Sequence, residues 1–275
     1  MIKITGAVSI SACLLLALSA CTQESTTNTT AADNTEQAHT LRIAAAANLS
    51  DVLSAIVEGY KTDKGLPNQD IDITFASSGK LYAQITAGAP YDIFLSANQE
   101  FPAKLAVDSS QAEMSHQPFT YAQGQLALYS VTRSLAALKP AALTELLMSD
   151  ASSKITIASP ELAPYGASAK SYLQSQGVYE ALEQQKRLIQ AENIGQAFQY
   201  AHTGSVDYGF VAQSQITAIK ATPEQFVTLA PESYPAILQD GIVISDVSTA
   251  TDFTDYLRSP AGQQYFSQAG YLTLQ

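Results

Sequence analysis

Ser77 and Lys80 are separated by two residues in the stretch ITFASSGKLYAQI, and this spacing raises the question of nucleophilic catalysis. The S-x-x-K spacing is that of penicillin-binding proteins and serine β-lactamases, which also require S-D-N and K-T-G elements. The chain has neither element, and it has no G-x-S-x-G motif. A P-loop is excluded as well, because that motif needs a glycine and a hydroxyl residue where the chain has Thr74 and Leu81. We therefore expect that the protein is not an enzyme.

Small or polar residues also precede predicted helices at four points of the chain, and these points suggest a different chemistry. The four loops are Ala47-Asn48, Ser77-Ser78, Tyr165-Gly166 and Asn193-Ile194. The first turn of a helix carries unpaired N–H groups and the positive end of the helix dipole, so four such turns that converge would bind an anion. The alternative is that each loop caps only its own helix.

The elements that carry these loops follow an alternating pattern. LRIAAA predicts a strand, and the apolar residues after it recur at the spacing of one helix face, at Val52, Leu53, Ile56, Val57 and Tyr60. Further strands are predicted at DIDITFA, YDIFLS, GQLALYS, KITIAS and VDYGFVA, with helical patterns between most of them. Strands that alternate with helices predict an α/β fold with mostly parallel sheets.

The first 20 residues have the features of an export signal. Lys3 is followed by an apolar run from Ile4 to Leu18, which is too short for a membrane-spanning helix. The sequence LSAC at residues 18–21 resembles the lipobox of bacterial lipoproteins, and this resemblance implies that Cys21 carries lipid. The alternative is ordinary signal cleavage that leaves a free cysteine.

Residues 21–40 predict a flexible tether. This segment contains seven threonines and almost no large apolar side chain, so it cannot bury enough surface to order itself. As a random coil, a segment of this length would reach roughly 24 Å. Cys13 would leave with the signal, so no disulfide is expected.

The net charge of the chain is −11, and removal of Lys3 with the signal leaves 13 basic and 25 acidic residues. The absence of a basic patch argues against a nucleic-acid partner. An acidic protein can still bind an anion, provided that preorganised dipoles hold the ligand at short range.

Five segments spread along residues 41–275 resemble the substrate-binding proteins of bacterial molybdate ABC importers, and the similarity extends over essentially all of this range. They read AAAANLSDVLSAI, ITFASSGKLYAQITAGAPYDIFLSA, IASPELAPYGASAKSYL, AENIGQAFQYAHTGSVDYGFV and YLRSPAGQQYFSQAGY. The resemblance implies a periplasmic-binding-protein fold, in which two α/β lobes are joined by two crossover segments. The first lobe would contain residues 41–122 and 235–275, and the second would contain residues 123–234.

The resemblance also implies a function. The protein would bind molybdate and tungstate outside the cytoplasm, as a monomer without a cofactor. It would be anchored in the periplasm or at the cell surface by lipid on Cys21, and it would deliver the anion to the permease and ATPase subunits of an importer. A binding protein for another oxyanion, such as sulfate or phosphonate, remains the alternative, because the sequence does not state the size of the cavity.

The oxyanion contacts implied by the family are neutral hydrogen-bond donors. Carried over by position, they fall on the Ala47 N–H, Asn48, Ser78, Tyr165 and the Ile194 N–H. Some relatives add a tyrosine where this chain has Ala212, so the hydroxyl of Tyr165 would take the place of that donor. Lys80 has two interpretations: its ammonium either reaches solvent or binds the anion directly.

Overall fold

The structure, a computed structural model, describes residues 39–108, 117–272 and 274. The predicted signal sequence, the lipidation site at Cys21 and the tether up to residue 38 lie outside the described residues. Within the ranges that the structure describes, no helix is both long enough and apolar enough to cross a membrane.

Ten strands form two five-stranded sheets. The strands are β1 Leu41–Ala46, β2 Ile71–Ala76, β3 Ile93–Leu95, β4 Phe119–Gly124, β5 Leu126–Tyr129, β6 Ile155–Ala158, β7 Leu188–Ala191, β8 Tyr208–Ala212, β9 Phe226–Thr228 and β10 Ile237–Val243. The strand order is β2-β1-β3-β10-β4 in the first sheet and β7-β6-β8-β5-β9 in the second. Only β10 in the first sheet and β5 in the second run against their neighbours.

The helices fill most of the connections between strands. They are α1 Ser50–Lys64, α2 Ser78–Thr86, α3 Glu100–Asp108, α4 Leu143–Ser149, α5 Pro164–Ser175, α6 Tyr179–Gln184, α7 Ile194–His202, α8 Gln213–Ala218, α9 Ser248–Arg258 and α10 Pro260–Gln268. Short 3₁₀ turns add Ala47–Leu49, Pro140–Ala142 and Pro231–Ser233.

The chain crosses between the two sheets twice. It leaves the first sheet between Gly124 and Leu126, and it returns between Thr228 and Ile237. This arrangement confirms the predicted α/β fold, with two lobes, mostly parallel sheets and two crossover segments. The exact lobe boundaries remain predictions.

The first lobe is built around the predicted face of α1. Val52, Leu53, Ile56, Val57 and Tyr60 are all buried in its core, as their spacing predicted. Burial of each large apolar side chain contributes roughly 1.5–3 kcal/mol. This packing holds α1 against the sheet and so determines where the turn before it lies.

The contacts of the first lobe include His39, which lies two residues before the predicted boundary at Leu41. The His39 carbonyl accepts a hydrogen bond from Gln69 Nε2 at 2.8 Å, and the His39 ring lies 3.0 Å from Asp92. Burial alone would raise the pKa of Asp92, but hydrogen bonds from the Arg42 N–H and other donors lower it. The end of the predicted tether is therefore part of the fold.

Candidate functional site

The four strand-to-helix junctions singled out in the sequence meet in one cavity between the lobes. The empty space between its walls is about 190 Å³, part of it open to solvent, and the walls come from residues 46–48, 76–78, 163–165 and 193–194, with Ala97. All five predicted contact residues are among these lining residues. The described lining contains no Lys, Arg, His, Asp or Glu side chain. The cavity thus offers neutral groups only.

Three of the junctions place the first residues of a helix or turn in the cavity wall. Ala47 and Asn48 form a 3₁₀ turn directly after β1, and Ser78 is the first residue of α2. Ile194 is the first residue of α7, whose N-cap Asn193 accepts a hydrogen bond from the Gln196 N–H at 3.0 Å. N–H groups in a first helical turn have no acceptor within their own helix, so they remain available to a ligand.

The two adjacent serine hydroxyls at this site differ in their hydrogen bonding. Ser78 Oγ accepts a hydrogen bond from the Ala97 N–H at 3.0 Å, which leaves its own hydrogen free to donate. Ser77 Oγ is buried and has no partner within the described part of the chain. A buried hydroxyl without a partner costs about 1–3 kcal/mol. Ser77 was not among the predicted contacts, although its place beside Ser78 at a helix start could have indicated it.

The side-chain amide of Asn48 is fixed by hydrogen bonds to two other buried side chains. Asn48 Nδ2 donates to Gln239 Oε1 and to the hydroxyl of Tyr271, both at 3.0 Å. Both amide hydrogens are therefore engaged, whereas Asn48 Oδ1 is buried and has no partner among the described residues. In this orientation the expected side-chain donor does not face the ligand. Gln239 and Tyr271 lie far from Asn48 along the chain, and sequence reasoning missed both.

The hydroxyl of Tyr165 belongs to the same buried network. It accepts a hydrogen bond from Gln239 Nε2 at 3.1 Å. It also lies against the first crossover, where a Cβ atom added at Gly124 would approach it to 2.2 Å. Ala212, which occupies the position of a tyrosine in some relatives, does not line the cavity.

Three buried tyrosines keep this network neutral. Burial raises the pKa of Tyr121 and of Tyr165 well above the usual value for tyrosine. Burial also raises the pKa of Tyr271 to about 12, although hydrogen bonds to Ser214 and Asn48 act in the opposite direction. All three hydroxyls therefore keep their hydrogens over the physiological range of pH.

Contacts around the cavity join the two lobes. The Gly79 N–H donates to the Leu162 carbonyl at 2.9 Å, and Ser214 Oγ donates to the Asn48 carbonyl at 3.3 Å. Lys80 does not line the cavity. Its Nζ pairs with Glu192 Oε1 on the other lobe at 2.7 Å, and about half of the Lys80 side chain is exposed. Lys80 and Ser77 therefore do not form the assembled pair that S-x-x-K chemistry requires.

The donor set suits a ligand that only accepts hydrogen bonds. The ranges that the structure describes contain no group of three or more His, Cys, Asp or Glu side chains that could hold a metal ion. Tyr165 is the single tyrosine among the described residues that line the cavity, whereas a ferric site would draw on several. Backbone N–H groups and hydroxyls in a neutral cavity are a setting for an oxyanion.

Comparisons with known proteins agree with the geometry. The family model described as bacterial extracellular solute-binding protein matches residues 41–272. The molybdate-binding protein ModA of Rhodobacter capsulatus is 35% identical over 206 residues, which are 74% of this chain and 77% of that protein. A putative ABC transporter substrate-binding lipoprotein of Bacillus subtilis, YvgL, is 27% identical over 242 residues, or 86% of this chain and 88% of that protein.

A solved structure matches in three dimensions. The periplasmic molybdate-binding protein of Azotobacter vinelandii superposes with a TM-score of 0.76 at 28% sequence identity. The match covers 86% of this chain and all of that one.

Proposed function

The chain belongs to the bacterial extracellular solute-binding proteins, and from this premise we propose that its inter-lobe cavity binds molybdate, and also tungstate, for delivery to an ABC importer. The observation that carries the proposal is the convergence of four strand-to-helix junctions on one neutral cavity. The names of the relatives from Rhodobacter and Azotobacter support molybdate as the ligand.

In this proposal the anion is held by the residues that the junctions bring together. The ligands are the backbone N–H groups of Ala47 and Ile194, the hydroxyl of Ser78, the amide of Asn48, and Tyr165. Each donor to a charged acceptor contributes roughly 1.5–3 kcal/mol. Several such donors are enough for a dissociation constant below about 1 μM, which corresponds to roughly −8 kcal/mol.

The proposed role is binding and delivery without catalysis. Ser77 Oγ has no partner among the described residues, so no described base activates it as a nucleophile. The lobes, proposed to be residues 41–122 with 235–275 and residues 123–234, would close on the anion by hinge motion. The monomeric protein would then present the closed lobes to the permease and ATPase subunits.

We place the protein in the periplasm or at the cell surface, anchored by lipid on Cys21. The LSAC sequence and the Thr-rich segment after it support this placement. The description of the Bacillus relative as a lipoprotein is consistent with it.

Titration calorimetry of the purified protein with molybdate, tungstate, sulfate and phosphate tests the proposed ligand. We expect molybdate and tungstate to bind at least about a hundredfold more tightly than sulfate, a difference of about 2.7 kcal/mol. Equal affinity for sulfate would leave a general oxyanion carrier, and the absence of binding to any of the four anions would refute the proposal.

A further inference from the structure

The side chains of Asn48 and Gln239 form a buried amide pair behind the cavity. Asn48 is 1% exposed and Gln239 is fully buried. Each amide has one end that donates and one that accepts. Gln239 Oε1 accepts from Asn48 Nδ2 at 3.0 Å and from the Tyr121 hydroxyl at 3.1 Å, and Gln239 Nε2 donates to the Tyr165 hydroxyl at 3.1 Å. Gln239 therefore touches one site residue from each lobe.

In this orientation of the pair, one acceptor and one hydroxyl hydrogen have no hydrogen-bond partner among the described residues. Asn48 Oδ1 is buried and unpartnered within the described residues. The Tyr165 hydroxyl accepts from Gln239, and none of the hydrogen bonds among the described residues uses its own hydrogen. An oxyanion in the cavity could accept the hydrogen of Tyr165, but it would leave Asn48 Oδ1 unpaired, because an anion offers only acceptors and the amide oxygen of Asn48 is an acceptor too.

The reversed orientation of both amides satisfies all of these groups. If Gln239 is turned over, its Nε2 donates to Asn48 Oδ1 and to Tyr121, and its Oε1 accepts the hydrogen of Tyr165. The Tyr121 hydroxyl keeps an acceptor, because it lies 2.8 Å from the Ser96 carbonyl. The network can therefore exist in two arrangements built from the same atoms.

If the Asn48 amide is also turned over, a hydrogen-bond donor is already in place for its oxygen. Its Oδ1 would then face the hydroxyl of Tyr271, which lies 3.0 Å from the present Nδ2. Tyr271 now donates to the Asn48 carbonyl at 2.9 Å. If it donates to Oδ1 instead, the carbonyl keeps its existing bond from Ser214 Oγ at 3.3 Å. The Nδ2 hydrogens of Asn48 would then be free to donate to a ligand in the cavity, which Asn48 lines.

We propose that Gln239 is a positioning residue, and that entry of an oxyanion turns the amides of Gln239 and Asn48 over together so that Asn48 Nδ2 donates to the anion. The proposal rests on the proposed function of the cavity. Because Gln239 also bonds Tyr165 on the other lobe, the turned arrangement is completed only when the lobes are together. Gln239 thereby couples lobe closure to the donor that Asn48 presents.

A double-mutant cycle with molybdate as the probe tests the coupling. Gln239→Met removes both ends of the amide at similar length, and we expect about tenfold weaker binding or more, as for a lost donor to a charged acceptor. A serine hydroxyl can rotate towards the anion without help from Gln239. In an Asn48→Ser background the same change should therefore cost less than about threefold. An equal loss in both backgrounds would show a merely structural role and overturn the proposal.

The wild-type protein provides a second test that needs no variant to fold. In the ¹⁵N-labelled protein without anion, the Asn48 Nδ2 hydrogens should show nuclear Overhauser contacts to the ring of Tyr271. These contacts should be lost when molybdate is added, while the Gln239 Nε2 hydrogens gain contacts to Asn48. Unchanged contacts in a protein that binds molybdate would refute the amide rotation alone. A wild-type protein that binds no oxyanion would instead refute the proposed function.

Discussion

Lys80 and Glu192 form an ion pair that joins the two lobes, with Lys80 Nζ 2.7 Å from Glu192 Oε1. Lys80 lies in the first turn of α2, and Glu192 precedes α7, so both flank helix starts that open on the cavity. Neither side chain lines the cavity. The one cation in the site loops is therefore paired with a carboxylate instead of being directed at the ligand.

Replacement of Lys80 by alanine should change the affinity for molybdate by about threefold or less, because exposed ion pairs contribute little. Affinity should depend weakly on salt, since screening acts on exposed charges beyond a Debye length of about 8–10 Å. The negative protein should repel the dianion, so the association rate should rise modestly with salt. Calorimetry and stopped-flow mixing at about 20 and 500 mM salt measure both quantities.

Lys104→Ala is the matched control, because Lys104 pairs with Glu100 within α3, also at the surface. Affinity that falls steeply with salt in the wild type, and no longer does so in Lys80→Ala, would show that Lys80 binds the anion directly.

Ser77→Ala and Ser78→Ala should separate stability from binding. Ser78→Ala should weaken molybdate binding by about 1–3 kcal/mol, the loss of one donor to a charged acceptor. Ser77→Ala should instead raise the melting temperature of the protein without ligand, because it removes a buried hydroxyl that has no described partner. Calorimetry and thermal unfolding measure the two effects, with the exposed Ser205→Ala as control. A lower melting temperature for Ser77→Ala would show that the hydroxyl has a stabilising partner.

Tyr165→Phe should weaken molybdate binding by about 1–3 kcal/mol. The change removes the hydroxyl that meets Gln239 Nε2 and leaves that buried amide without one of its partners. Tyr91→Phe is the matched control, because it removes a hydroxyl that bonds Gln84 away from the cavity. If calorimetry gives the same affinity for Tyr165→Phe and for the wild type, Tyr165 contributes only its backbone and its packing.

Stability should fall at alkaline pH while binding stays constant near neutrality. Burial raises the pKa of Tyr271 to about 12, against about 10 for an unfolded tyrosine. This contribution to the free energy of unfolding is complete below about pH 10 and is lost as the pH rises through about 12. Urea unfolding between about pH 8 and 11 measures it. Tyr271→Phe should flatten the slope, and a variant with the same slope as the wild type would contradict the assignment.

Cys21→Ser should release the protein from membranes without changing its affinity for molybdate. The lipid is expected on Cys21, and the segment after it has little apolar content with which to join the fold. Fractionation of cells followed by calorimetry checks both parts. If the variant stays with the membranes after a high-salt wash, Cys21 is not the anchor.

The sequence alone determined the α/β class and the four loops that contribute to the cavity wall. Strand and helix periodicities are local, and a small residue between a strand and a helix start marks where N–H groups will be unpaired. For this reason the four loops could be named before the structure. The family resemblance then singled out Ala47, Asn48, Ser78, Tyr165 and Ile194 within them, and all five line the cavity.

Only the tertiary structure decided how the side chains in and around that cavity are paired. Gln239 and Tyr271 reach Asn48 from 191 and 223 residues away, and Glu192 reaches Lys80 from 112 residues away. No local pattern encodes such partners. Gln239 and Tyr271 meet Asn48 only after the second crossover has returned the chain to the first lobe, and Glu192 meets Lys80 only where the two lobes touch. A buried amide then takes the orientation that its neighbours' donors and acceptors allow, and those neighbours are supplied by the fold.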